Sequence, residues 1–455
     1  MSAINPSASA TELANLYVSG TQKLLTSQSQ QAQSQSNALT KLKSALSAFE
    51  TAMAGLTSRT TGMVQRSATV SGGGTAIGAA SATSKAAAAT HQIFVEQVAT
   101  ARQVAFEDLP AVPVSLGGPL VVQLGDGTNF SVDLAMADQN SDGTISHAEI
   151  ARAINLAQQN SGKVVASTVT SGGQTHLVLS AGSTGSAASF TLDVSGLPDS
   201  ALKTALGGGR EIVAAQDAKV WLGAQGTGVL VQQASNTFTA IEGVTLTLSQ
   251  AMAAGSAPAT VTVAADNKAT TDKLQSFVNA YNALEKALDD LTAYGKDGAA
   301  SAVFASDAGV RNLRSRLGDA LRSEVGGVRL MDFGIKTSRD GSISLDSAKL
   351  EKALTDYPEK LDALFGMTGL VGSSGVLGSL NSVSQSWSNS SAGQIKRRQD
   401  NVQVTQKRIA LRQDRVEMQY ESAYKRYLAQ FTRLASLQSQ MGDTASLFSS
   451  ISSKS

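Results

Sequence analysis

Twelve consecutive residues, from Asp138 to Glu149, combine the residue types and the spacing of a calcium-binding loop. The stretch reads DQNSDGTISHAE and matches the pattern D-x-[DN]-x-[DN]-G-x₅-E at every required position. In such a loop, side-chain oxygens, one backbone carbonyl and a bidentate carboxylate surround the ion, and a central glycine allows the sharp turn. The predicted ligands are Asp138, Asn140, Asp142, Thr144, Ser146 and Glu149.

The same residues also predict a purely structural arrangement. An Asp-Gly turn lies in the middle of the loop, and Ser146 with Glu149 is the capping box of a helix covering Ile150 to Leu156. Residues Phe130 to Ala137 are typical of a strand, so the helix that normally leads into a calcium loop is missing. Both interpretations stay open. If calcium binds, we expect weak affinity, ~10⁻⁴–10⁻³ M, and a stiffening role.

Other residues that could do chemistry are scattered along the chain. His91, His147 and His176 are far apart in sequence and have no evident acidic partner, so structural roles suit them better than catalysis. The glycine-rich stretch from Gly369 to Gly378 lacks the Gly-Lys-Ser/Thr end of a phosphate-binding loop and predicts a linker. The chain has no cysteine, which excludes thiol and disulfide chemistry. We therefore expect no enzyme activity and no required cofactor.

Composition narrows the partners that the protein could have. Lys and Arg total 37 against 36 Asp and Glu, so no strong field attracts nucleic acid. No stretch approaches the ~18 apolar residues of a membrane span, and no cleavable signal pattern is evident at the N-terminus. We expect no membrane insertion. A length of 455 residues suggests about three domains.

Both ends of the chain carry apolar residues at alternating steps of three and four, the pattern of long helices with one apolar seam. Because a lone heptad helix exposes its seam to water, each end needs a partner helix from the same chain or from neighbouring copies. The predicted coiled-coil and oligomer positions are Leu25, Leu39, Leu42, Leu46, Phe49, Met53 and Leu56 near the N-terminus and Val402, Ile409, Val416, Tyr420, Tyr427 and Leu434 near the C-terminus.

Short β-rich runs separated by turn residues fill the chain from about residue 90 to 265, between the helical ends. The predicted fold class is therefore α+β and multidomain, with terminal coiled-coil helices and a helical domain that carries nested antiparallel β-rich domains. The predicted domains are 1–35 with 430–455 as a coiled-coil or disordered stem, 36–88 with 268–429 as a helix-rich domain, 89–112 with 210–267 as a β-rich domain, and 113–209 as an inserted β-rich head domain that contains the calcium-type loop.

Several short stretches, in a fixed order along the chain, resemble the flagellar hook-associated protein 2 family, the filament caps of bacterial flagella. Each stretch alone is weak, but the set is specific and spans nearly the whole sequence. The stretches are Val95 to Ala99, Ile241 to Leu248, Phe277 to Asn282, Phe333 to Ile335 leading to Asp340-Gly341, and the terminal tyrosines Tyr420, Tyr424 and Tyr427.

The resemblance implies a ring, commonly a pentamer, at the distal tip of the growing flagellum. Such a ring retains exported flagellin and promotes its folding and insertion into the filament. Family members leave the cell by flagellar export, helped by a cytosolic chaperone that binds the C-terminal region, and they meet the hook–filament junction proteins. Two alternatives remain at this point: a surface adhesin that uses the inserted domain, and a hook–filament junction protein.

Overall fold

A computed structural model describes residues 5–57, 62–73, 77–107, 109–295, 299–367 and 374–452. The outermost residues of the predicted stem, 1–4 and 453–455, and residues 369–373 of the glycine-rich stretch lie outside this description. The chain divides into two compact units, Met1–Arg59 with Thr271–Ser455 and Thr60–Thr270. The first unit is mainly helical and the second mainly β, as the predicted α+β class requires.

The helices begin where the sequence provides capping residues. Asn5 accepts a hydrogen bond from the Ala8 N–H at the start of the first helix, and Asp307 and Asp346 cap two later helices in the same way. Within the described residues the α-helices are α1 (Pro6–Leu56), α2 (His147–Leu156), α3 (Ala201–Gly207), α4 (Asn267–Thr292), α5 (Ala308–Arg322), α6 (Ser347–Asp356), α7 (Pro358–Phe365), α8 (Gly375–Ser388) and α9 (Gln394–Ser452).

The strands are short and are separated by turns. Over the described ranges they are β1 (Arg66–Gly72), β2 (Gly78–Ala82), β3 (Ala89–Gln97), β4 (Gln103–Phe106), β5 (Val112–Pro113), β6 (Pro119–Leu124), β7 (Asn129–Asp133), β8 (Thr144–Ile145), β9 (Val164–Ser171), β10 (Gln174–Ala181), β11 (Phe190–Asp193), β12 (Arg210–Val213), β13 (Ala218–Leu222), β14 (Val229–Gln233), β15 (Thr237–Phe238), β16 (Val244–Leu248), β17 (Ala259–Ala265), β18 (Ile335–Thr337) and β19 (Ile343–Leu345).

The β unit contains two hydrophobic cores, each covered by antiparallel sheets. One core lies with the five-stranded sheet β1-β17-β3-β13-β14 and the three-stranded sheet β15-β16-β2. The other lies with the sheets β12-β4-β10-β9, β11-β6-β7 and β5-β8, and helices α2 and α3 contribute to it. In both cores, alternate strand residues point inward, for example Leu177 and Leu179 on β10, which are fully buried.

The strand pairing differs from the predicted domain borders at two places. The stretch 36–88 was assigned to the helix-rich domain, but β1 pairs with β17 and β2 pairs with β16 inside the β unit. In addition, β4 and β12 pair with each other in the sheet of the inserted region, outside the predicted limits 113–209. The first two strands were overlooked because they consist mostly of Ala, Ser, Thr and Gly, which give little apolar alternation.

In the helical unit, the C-terminal half of α1 packs into the core. The ring of Phe49 meets that of Tyr281 on α4 edge to face, with centroids 6.0 Å apart. The neighbouring Glu50 accepts hydrogen bonds from Ser384 and Ser388 of α8. The β18–β19 hairpin joins this core through Asn282, whose side-chain amide exchanges two hydrogen bonds with the backbone of Ile343. That amide ends the Phe277 to Asn282 stretch noted in the sequence.

Candidate functional site

Helices α1 and α9 form the first candidate site. Both are longer than the stem segments predicted from the sequence, and from here on we call this pair of helices the stem. They run in opposite directions, since Ser7 meets Tyr424 near one end while the Leu25 region lies beside Val416. A narrow seam of buried side chains joins them, comprising Val18, Leu25, Ala32, Ile409 and Val416, with Val402 and Tyr420 partly buried beside it. Small residues and glutamines separate the larger apolar residues, so the seam buries little area for its length.

The predicted coiled-coil positions fall into three groups. All seven on α1 are at most 5% exposed, and so is Ile409 on α9. Val416, the next seam position on α9, is 6% exposed. Val402, Tyr420 and Tyr427 are half-buried. Leu434 is 46% exposed, because α1 begins at Pro6 near Tyr424 and no other described helix faces the rest of α9. A role for these residues in contacts between subunits stays a prediction.

Aromatic and basic side chains gather where the stem ends. Tyr420 stacks on Tyr424 with ring centroids 6.4 Å apart, and the Tyr424 hydroxyl lies 3.2 Å from the Ser7 hydroxyl. The Arg426 guanidinium lies over Tyr17 of α1 and over Tyr427, at 5.9 and 5.0 Å from the ring centroids. The terminal tyrosines that carried the family resemblance therefore hold the two ends of the chain together.

The loop from Asp138 to Glu149 is the second candidate site, and its oxygens already have donors. The Asp138 carboxylate accepts hydrogen bonds from the backbone N–H groups of Asp142 and Gly143, at 3.3 and 3.0 Å. The Asn140 side-chain oxygen accepts one from the Asp142 N–H, and Asp142 accepts one from the Thr144 N–H. Hydrogen bonds from the side chain and backbone of Thr144 hold the pKa of Asp142 below its ordinary value.

Glu149 forms the predicted capping box. Its carboxylate accepts hydrogen bonds from the Ser146 N–H at 2.9 Å and hydroxyl at 2.7 Å, and from the Gln139 N–H at 3.1 Å. These donors, the Ser146 backbone first, lower the pKa of Glu149 although the residue is only 7% exposed. The two residues that precede Ser146 in the loop form β8, whose fully buried Ile145 pairs with Val112 of β5.

The loop geometry agrees with the structural interpretation of the sequence. Among the residues that the structure describes, no group of three or more His, Cys, Asp or Glu side chains is arranged to hold a metal ion. Calcium binding would require the Glu149 carboxylate to turn away from the N–H of Ser146 toward Asp138 and Asp142. Calcium binding by the six predicted ligands stays a prediction.

Calcium is expected to stabilise the β unit if the prediction is right. At a free concentration ten times the dissociation constant, a single site adds about 1.4 kcal/mol to the free energy of unfolding. Thermal unfolding with up to 10⁻² M calcium, guided by the affinity range of ~10⁻⁴–10⁻³ M, measures this. Glu149→Gln should abolish the gain while preserving the capping box, and Asp126→Asn, in an unrelated turn, should not. Equal melting curves with and without calcium would leave only the capping role.

Two asparagines near the loop have a function that the sequence did not reveal. Asn155 exchanges hydrogen bonds of 2.7 and 2.8 Å with the backbone of Ala166, and Asn160 does the same for Val164. Both backbone positions lie on β9, an edge strand of its sheet. The amides take the place of a neighbouring strand and block half of this edge against further pairing.

The remaining sequence candidates are not brought together. His91 lies on β3, His147 begins α2 and His176 lies on β10, each in a different element. No helix in the described part of the chain has the length and apolar character that crossing a membrane requires. What the structure does assemble is a pair of heptad helices from the two ends of the chain, and the residues of the β unit lie between them in sequence. This arrangement is typical of multidomain assembly proteins whose terminal helices associate with other subunits.

Sequence comparisons identify the family. Models of the N-terminus and the C-terminus of flagellar hook-associated protein 2 match residues 2–102 and 215–443, and the chain belongs to this family. The lateral flagellar hook-associated protein 2 of Vibrio parahaemolyticus is 34% identical over 81% of this chain and 82% of its own length. The B-type flagellar hook-associated protein 2 of Pseudomonas aeruginosa is 31% identical over 64% of each chain.

Comparison with solved structures supports the same family assignment. The crystal structure of the D1-D2-D3 domains of the flagellar cap protein FliD from Escherichia coli matches with a TM-score of 0.60 and 26% identity, covering 80% of this chain and 99% of that one. The family resemblance and the α+β multidomain fold predicted from the sequence are confirmed. The adhesin and junction-protein alternatives are not favoured. Residues 103–214, which include the calcium-type loop, lie between the two matched regions, so family membership says nothing about that loop.

Proposed function

We propose that this protein caps the distal tip of a bacterial flagellar filament, as an oligomer of identical copies that acts with flagellin. The observation that carries the proposal is the match of both ends of the chain to flagellar hook-associated protein 2, a family of structural cap proteins. The stem agrees with this role, since it is built from those two ends. The structure of the stem also suggests how the protein grips a growing filament.

A narrow seam makes the stem adjustable. Val18, Leu25 and Ala32 of α1 face only Ile409 and Val416 of α9 in the buried cluster, whereas the other end of α1 lies in the core of the helical unit. Regions with few buried apolar contacts open at low free-energy cost. Each stem can therefore bend or shift locally to fit its own position on the filament while the rest of the unit stays folded. Such adaptability suits a ring whose symmetry differs from that of the filament.

The finer parts of the proposal follow the family resemblance. The copies form a ring, commonly pentameric, that retains exported flagellin and promotes its folding and insertion. The protein is exported and acts outside the cell, next to flagellin and in sequence with the hook–filament junction proteins. The export chaperone binds the C-terminal part of α9, where Leu434, Leu437 and Met441 are exposed along the helix and could enter an apolar groove.

A complementation experiment tests the proposal. In a flagellated bacterium whose own cap gene is deleted, expression of this protein should restore filament growth and reduce the flagellin released into the medium. Light scattering of the purified protein then gives the number of copies in the oligomer. Continued leakage of flagellin, with the protein demonstrably exported, would contradict the capping function. A change in attachment to surfaces without any change in filament growth would favour adhesion instead.

A further inference from the structure

The stem has a second apolar line that its own helices do not cover. Val404, Leu411 and Met418 follow one another at steps of seven along α9, and the last two are 65% and 61% exposed. The buried seam residues Val402, Ile409 and Val416 repeat with the same period, two positions earlier. Two positions on a helix correspond to a rotation of about 200°. Helix α9 therefore carries a second line of apolar residues well away from its seam, and only the seam is buried against α1.

Helix α1 has an outer line of its own. Leu13, Leu16, Tyr17 and Leu24 are exposed, with Leu16 the most at 70%. The outer lines of the two helices meet on one side of the stem, because Tyr17 and Met418 line the same shallow groove of about 230 Å³. Exposed apolar residues that follow helical spacing on two neighbouring helices are typical of a surface that packs against a further helix.

Charge indicates which helix fits this groove. Arg415 and Arg426 lie at its border, and neither forms an ion pair with any of the residues that the structure describes. The outer line of α1 carries Glu12 beside Leu13 and Leu16, and Glu12 is the only acidic residue of the chain before Glu50. An apolar line that carries one carboxylate complements a groove that Met418 and Ala423 line together with two guanidinium groups.

The required partner is thus a helix with the properties of α1, and every neighbouring copy in an oligomer supplies one. A contact between different faces of successive copies is heterologous, and such contacts form a closed ring when the rotation from copy to copy closes.

We propose that α1 of one copy packs, through Leu13, Leu16 and Glu12, into the groove between α1 and α9 of the next copy. This inference rests on the proposed function only in requiring an assembled oligomer. The stem then has two tasks: its inner seam joins the two ends of one chain, and its outer line joins neighbouring chains. Arg415 and Arg426 set the register of the second contact by meeting Glu12.

Disulfide trapping tests the contact, and the absence of cysteine from the chain keeps the background low. Leu16→Cys is placed in one tagged protein and Met418→Cys in another, so a mixed disulfide joins two different copies. Both proteins are expressed together in the cap-deleted bacterium and oxidised on assembled filaments. The matched control replaces Leu16→Cys by Asn15→Cys, one residue away on another side of the helix. Because disulfides need Cβ atoms about 4 Å apart, we expect about tenfold more mixed product from the Leu16 pair.

The outcomes separate this inference from the capping function. Mixed disulfides at the control level, with filament growth intact, would overturn the contact between stems and leave capping in place. Cross-linking of Leu16→Cys, labelled with a photoreactive maleimide, to flagellin instead of a second copy would also overturn it. Failure of the unmodified protein to restore filament growth would contradict the proposed function itself, whatever the disulfide pattern.

Discussion

Arg314→Ala is expected to lower the free energy of unfolding of the helical unit by about 3–5 kcal/mol, because it leaves the buried carboxylate of Glu285 without its charged partner. Glu285 on α4 is only 4% exposed, and one of its carboxylate oxygens accepts a hydrogen bond from the Arg314 side chain. The other oxygen is buried and has no hydrogen-bond partner among the described residues. Arg314 also donates to the backbone carbonyl of Asp340, so its loss removes one of the contacts that hold the β18–β19 hairpin. Chemical denaturation of the purified protein measures the loss.

The pH dependence of this variant gives a second test. Burial raises the pKa of Glu285 above the ordinary value of 4.5, and the charge of Arg314 opposes that rise. Removing Arg314 should raise this pKa further. A raised carboxyl pKa favours the folded state while Glu285 is protonated. The stability that Arg314→Ala costs, relative to the unmodified protein, should therefore be smallest below about pH 4.5 and should grow as pH rises through the folded-state pKa.

An exposed ion pair provides the matched control. Arg322 pairs with Asp319 on the same helix as Arg314, but both side chains are mostly in water. Arg322→Ala should therefore change the free energy of unfolding by less than about 1 kcal/mol. The Glu285→Leu, Arg314→Leu double variant should recover most of the lost stability, because it removes both charges. Equal effects of Arg314→Ala and Arg322→Ala would show that the buried pair is not important for folding.

This ion pair also shows where prediction from the sequence ends. The apolar face of α4 could be predicted because Leu274, Phe277 and Tyr281 repeat at steps of three and four. Glu285 continues the same series and lies in the core. From the sequence alone, however, a glutamate at that position is expected to be exposed to solvent. Its burial depends on Arg314, which lies 29 residues later on another helix. No local pattern encodes a pairing of that kind.

The stem and the calcium-type loop are two further examples of what could and could not be predicted from the sequence. The inner seam was predicted because its period persists over many turns, and a single polar position does not hide it. The outer line of Val404, Leu411 and Met418 was not predicted, because a polar or charged residue adjoins each of its members. In the loop, the same serine and glutamate satisfy both a capping box and a calcium pattern. The capping box was predicted and is present, whereas the pattern alone could not decide between the two uses of Glu149.

Removal of residues 1–35 is expected to abolish capping while the two compact units remain folded. The deletion takes away Val18, Leu25 and Ala32, the α1 half of the inner seam, and it also removes the outer line. The part of α1 that packs in the helical core, from Leu39 to Leu56, remains. Burial of each large seam residue contributes about 1.5–3 kcal/mol. This free energy stabilises the pairing of α1 with α9 and not the core of the helical unit. Motility and flagellin in the medium measure capping, and thermal unfolding measures the core.

A point variant distinguishes loss of the seam from loss of chain length. Leu25→Asp places a charge in the inner seam opposite Ile409 and Val416 and should reproduce the capping defect in the full-length chain. Thr26→Asp, at the adjacent exposed position, should cap normally. Both variants should unfold at the temperature of the unmodified core, because neither touches it. Normal filaments and full motility with residues 1–35 missing would mean that the stem is dispensable for capping.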